Sequence, residues 1–175
     1  MAGDARLRVL DRRPGRVGEE ERVVLAGPDG DSVAAHGLWF HGRPSAGLRP
    51  WADLVVTDPS ILPAVARELG PGASLMVAYG DDETGRALRR SVPPAATPAG
   101  RALLAAGCRW FKDWYFAEGG REGCTKLQGT LPLDDAHRVR AAHALREELR
   151  AFAARPDVSE ADAHAAHAAA AALSG

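Results

Sequence analysis

Glycine and proline cut this chain into short pieces, and that punctuation constrains its fold more than any other feature. Gly27-Pro28-Asp29-Gly30, Gly70-Pro71-Gly72, Pro93-Pro94, Gly107 and Pro156 each mark a stop. Glycine enters left-handed backbone readily, and proline removes the amide hydrogen that a helix or ladder requires. The order of the pieces between the stops therefore sets the architecture.

Residues 7–10, 22–26 and 32–41 are rich in Val, Leu and aromatic side chains, which predicts an antiparallel meander with its clearest turn at 27–30. Residues 52–57 form a short apolar strand. Asp58 or Ser60 can cap a helix over 61–69, whose apolar positions Ile61, Leu62, Val65 and Leu69 fall on one face. The unalternating run Leu75-Met76-Val77 predicts a central strand over 74–79, buried on both faces. Two helices follow, over 83–92 and 98–106, with Thr97 as N-cap, Pro98 at the first helical position and Gly107 as the stop. Residues 108–116 and 124–131 then read as a hairpin around the glycine-rich connection 117–123. A long helix over 134–153, the break at Pro156 and an Ala-rich helix over 160–173 complete the chain. The expected fold is α/β (α+β): a mixed, largely antiparallel sheet flanked by helices. Residues 1–155 are expected to form one domain, with 156–175 appended as a helix that buries little area.

Composition narrows the function. With 22 Lys and Arg against 23 Asp and Glu, and no like-charge run longer than Glu19-Glu20-Glu21, there is no electrostatic footprint for nucleic acid. No apolar stretch approaches the ~20 residues that span a bilayer, so a cytoplasmic protein with no membrane partner is expected. Cys108 and Cys124 lack a CxxC spacing and should be unpaired thiols. His36 and His41, an odd number of residues apart on a strand, face opposite ways, and the helical histidines form no ligand motif with a third residue. No metal is expected.

The stretch 110–115 is where chemistry concentrates. Lys112 alternates onto one strand face with Trp110 and Trp114, and Asp113 onto the other with Phe111 and Tyr115, so each face mixes charge with aromatic surface. The plainer reading puts Lys112 and Asp113 in weak surface pairs and the tryptophans in the core. A turn centred at Gly120 pairs Trp114 with Lys126 and Lys112 with Gln128. Trp110, Lys112, Trp114, Lys126 and Gln128 then share a face as candidate substrate-binding residues. Two ammonium groups so close require a counter-charge, supplied by Glu118 or Glu122, or by a ligand carboxylate or phosphate. Asp113, Tyr115, Glu118 and Glu122 are the candidates for proton transfer. Asp81, Asp82 and Thr84 follow the central strand, where α/β proteins often bind ligands, but capping by Asp82 or Thr84 is the better reading.

The run WFKDWYFAEGGREG at 110–123, followed by KLQG at 126–129 and preceded by YGDDET at 79–84 and Pro93-Pro94, resembles the signature of a prokaryotic family designated domain of unknown function 1122. That family is grouped with acetyltransferase-like (GNAT-like) folds, which implies a small-molecule transferase using a coenzyme A ester. Such enzymes hold the coenzyme pyrophosphate on backbone N–H groups between a central strand and the next helix. Here that connection is Thr57-Asp58-Pro59-Ser60, where Asp58 repels phosphate, Pro59 has no N–H and no glycine allows close approach. The reading is a small-molecule enzyme that binds a small anionic metabolite on the 110–128 hairpin, with a degenerate coenzyme A loop and an unidentified cofactor. The alternative is a non-catalytic binding or accessory protein. A third, an S-adenosylmethionine-dependent methyltransferase-like protein, requires βα units upstream of residue 52 where hairpins are expected.

Overall fold

A computed structural model describes residues 7–15, 19–79, 82–115 and 125–174, with the backbone only at Asp82, Tyr115 and Thr125. Seven strands form one sheet: β1 (Val9–Pro14), β2 (Glu20–Ala26), β3 (Val33–Phe40), β4 (Trp51–Val56), β5 (Ser74–Ala78), β6 (Trp110–Tyr115) and β7 (Thr125–Thr130). The helices are α1 (Leu62–Leu69), α2 (Asp82–Arg89), α3 (Pro98–Ala105), α4 (Asp135–Ala153) and α5 (Glu160–Ala172). The strand order is β1-β2-β3-β4-β5-β7-β6. Among the described strands only β4 and β5 pair in parallel, and they are joined through α1, as a parallel connection requires a crossover.

The N-terminal meander and the hairpin are where the punctuation placed them. Two strand readings change. β1 runs on to Pro14 through Asp11, Arg12 and Arg13, because an edge strand can carry charge and proline where an inner one cannot. β5 is not buried on both faces: Leu75 and Val77 are buried, whereas Ser74, Met76 and Ala78 are half-buried. Its covering is one-sided.

That covering defines the main core. Leu54, Leu75, Val77 and Leu127 project from the sheet onto Leu62, Val65 and Leu69 of α1 and Leu103 of α3. Thr97 caps α3 by accepting from the Gly100 N–H at 3.1 Å. Gly100 is required at that point, since a Cβ would stand 1.6 Å from the Pro94 carbonyl oxygen. Thr84 is buried, and its hydroxyl accepts from the Ala99 N–H at 3.3 Å, tying α2 to α3.

A second core corrects the expectation for the terminal helix. Ala166, Ala169, Ala170 and Leu173 are buried against Leu104 of α3 and Leu145, Leu149 and Phe152 of α4. Small side chains let α5 approach its neighbours closely, so an Ala-rich face buries far more than its side-chain volume suggests. Arg90 holds α5 from outside by a two-pronged bond to Asp162 at 2.9 and 3.1 Å, which lowers the Asp162 pKa.

Candidate functional site

The hairpin register is the expected one: Lys112 stands opposite Gln128 and Trp114 opposite Lys126. Alternation then carries Lys112, Trp114, Lys126, Gln128, Ser74 and Asp53 onto the sheet face opposite the helices. None of them belongs to either core. They place a bed of polar groups on four strands of one face, with Met76 between Gln128 and Asp53.

The bed is ordered by its own hydrogen bonds. Lys126 donates to Asp53, and both side chains are about four-fifths buried, at 24% and 19% exposure. The indole Nε1 of Trp114 donates to Gln128 Oε1 at 2.8 Å. Gln128 Nε2 donates in turn to Ser74 Oγ at 3.1 Å, and Ser74 Oγ lies 3.3 Å from Thr130 Oγ1. Lys112 lies over the Trp114 ring, its Nζ 3.8 Å from the centroid, a cation–π contact at an exposed position. An ion pair shielded on a sheet face, with an oriented amide and an indole beside it, can meet both the charge and the apolar surface of a small metabolite.

Other candidates separate from this bed. Trp110 is 44% exposed at the sheet edge and meets the His137 ring edge-on at 6.4 Å, so it is turned toward α4. Asp113 occupies the helix side, where it accepts from the Tyr79 hydroxyl at 2.7 Å, away from both lysines. Tyr115 pairs through its backbone with Thr125. Glu118 and Glu122, like Cys124, lie outside the described residues. Among the described residues, Lys126 finds its counter-charge in Asp53. Asp53, Ser74 and Tyr79 are the residues that sequence reasoning missed. The only signal for Asp53 was a carboxylate interrupting the apolar run 52–56.

The β4–α1 connection bears on coenzyme binding. Asp58 accepts the Ser60 N–H at 3.0 Å and so caps its own helical turn Pro59–Ile61. The amide that would face a phosphate is already bonded to a carboxylate, and Pro59 offers none. Beside it, at the C-terminal ends of β4 and β5, a cavity of about 280 Å³ is lined mainly by apolar groups, including Val56, Leu62, Val77, Tyr79 and Ala102. Ligands of open α/β sheets gather at such ends. Among the described residues, no three His, Cys, Asp or Glu are grouped to hold a metal, and no helix is long and apolar enough to cross a membrane.

The family described as "Protein of unknown function (DUF1122)" matches residues 3–155. The chain belongs to that family. No curated protein matches it. Among solved structures, a protein of unknown function from Aquifex aeolicus VF5, AQ1966, is similar at 24% identity and a TM-score of 0.73, over 97% of this chain and 89% of the other. At that identity the likeness establishes a shared fold.

Proposed function

We propose that this chain is a small-molecule protein of acyltransferase-like (GNAT-like) fold that binds an anionic metabolite on the open face of its hairpin. The observation that carries the reading is the joint placement of Lys112 and Lys126 on one face, beside an indole and an oriented amide. Lys112 meets the anion, the Trp114 ring covers its apolar part, and the Asp53–Lys126 pair fixes the floor. The sheet order, with its single parallel pair β4–β5 bridged by a helix, supports the acyltransferase-like grouping. The meander before β4 supplies none of the βα units that a methyltransferase-like reading would need.

Within this fold the self-capped Asp58 favours the non-catalytic alternative, in which ordinary coenzyme A binding has been lost. A pyrophosphate there would have to displace the Asp58 carboxylate from the Ser60 amide and sit against its charge. Two measurements test the proposal. A thermal-shift screen of anionic metabolites should give hits for the native protein that disappear in Lys112→Ala, since specific binding raises apparent stability. A screen in which no hit weakens in that variant would remove the hairpin site. Calorimetry with coenzyme A should show no micromolar binding. Tight binding abolished by changes at Asp58 and Ser60 would restore the transferase reading.

A further inference from the structure

A second group of charges among the described residues lies at the other end of the sheet. An open cavity of about 630 Å³ separates the end of α1 from the β7–α4 connection, and its wall carries Arg67, Arg109 and Arg138. Arg109 is the informative one. It follows the turn at Gly107, and its Nη1 donates to the carbonyl oxygens of Leu104 at 3.1 Å and Cys108 at 2.9 Å. These bonds lock the guanidinium in place. Its Nε is buried with no hydrogen-bond partner, and no carboxylate among the described residues forms an ion pair with it.

A guanidinium keeps its proton at any ordinary pH, so it cannot escape burial by neutralising. Burial pulls the Arg109 pKa down and the neighbouring Arg138 pulls it further, with the nearby Cys108 acting the other way. The site therefore holds a cation that is half out of water, near a like charge and short of a partner, an arrangement an anion would relieve. The two carboxylates on the wall already have partners. Asp134 accepts the His137 N–H at 2.7 Å, capping α4, and Asp135 is bound to Arg138 at 3.2 Å. The latter pair is exposed and weak enough to open. Between the charges the wall is apolar, with Leu131, Pro132 and Leu133, and Leu133 is 43% exposed.

We propose that this cavity is a second ligand site, for an organic anion whose carboxylate or phosphate sits between Arg109 and Arg138 and whose apolar body rests on Leu131 and Leu133. Its volume falls in the range of small-molecule sites, roughly 300–1,000 Å³. A forked guanidinium suits the paired oxygens of either group.

The test uses the full chain and four probes at constant ionic strength: hexanoate, hexyl phosphate, inorganic phosphate and hexanol. Hexanoate or hexyl phosphate should raise the melting temperature saturably, and whichever does so at lower concentration identifies the head group. Inorganic phosphate should bind more weakly and hexanol not at all. Arg138→Glu, at an exposed position, should weaken the active probe by at least about tenfold, and Arg109→Lys should do so through loss of the fork. If Arg109→Lys fails to fold, Arg138→Glu decides alone. Lys112→Ala should leave this binding unchanged, which separates it from the hairpin site. Absence of saturable binding by every anionic probe, or binding undiminished in Arg138→Glu, overturns the proposal.

Discussion

The two lysines that sequence periodicity puts side by side are different residues once folded. Lys112 lies on an indole at an exposed position, and such contacts contribute about 0.5–1 kcal/mol. Lys126 neutralises Asp53 where both are largely out of water. Lys112→Ala should therefore shift denaturant stability by less than about 1 kcal/mol, whereas Lys126→Ala should cost roughly 1.5–3 kcal/mol by stranding the carboxylate. Adding Asp53→Asn to Lys126→Ala should recover part of that loss, and a strictly additive double-mutant cycle would show that the pair is not coupled. Cys108 offers an independent check. Burial pushes its thiol up to about 12, and only the thiolate is a good nucleophile. At neutral pH iodoacetamide should leave Cys108 unmodified in the folded protein and label it on unfolding, with mass mapping as the readout. Because the folded value is the raised one, the unfolded chain loses this proton first, and the group's contribution to stability falls as pH rises above the ordinary thiol range.

Elements were legible wherever local chemistry dictates them. Thr97 with Pro98 starts α3 because a hydroxyl acceptor and a preset φ are sufficient to start a helix, and Thr97→Ala should cost about 1 kcal/mol. Gly100→Ala is a harsher test, since its Cβ would collide with backbone and not with a movable side chain. Overpacking of that kind costs 1–3 kcal/mol or more, so thermal unfolding should show a larger loss than for Thr97→Ala. The hairpin register was equally readable, because a strand alternates with period two and one turn fixes all the pairs. What failed was any property set by the far side of the sheet. The run Leu75-Met76-Val77 looks doubly buried in sequence, yet Met76 lies on the open face because no helix core covers it. Asp53 was invisible as a partner for Lys126 for a related reason. The two lie 73 residues apart in sequence, and only the strand order β4-β5-β7 makes them neighbours.

At the scale of the whole molecule, the open question is where the folding unit ends. The family match stops at residue 155, which on its own would leave the Ala-rich helix as an appendage. Packing argues otherwise. Leu145, Leu149 and Phe152 of α4 and Leu104 of α3 share one buried cluster with Ala166, Ala169, Ala170 and Leu173, and the similarity to the Aquifex aeolicus structure extends over 97% of the chain. Composition misled because it counts large anchors, whereas alanine contributes by letting its neighbours bury theirs. Truncation after Arg155 should thus uncover several large apolar side chains at once, each contributing about 1.5–3 kcal/mol of burial. The expected result is a large fall in melting temperature or loss of soluble protein. The milder variant Asp162→Ala, which removes the bonds from Arg90 and Ser159, should lower stability slightly and leave the fold intact. Equal melting temperatures for the truncated and full-length chains would mean that residues 1–155 fold alone and that the second core is dispensable.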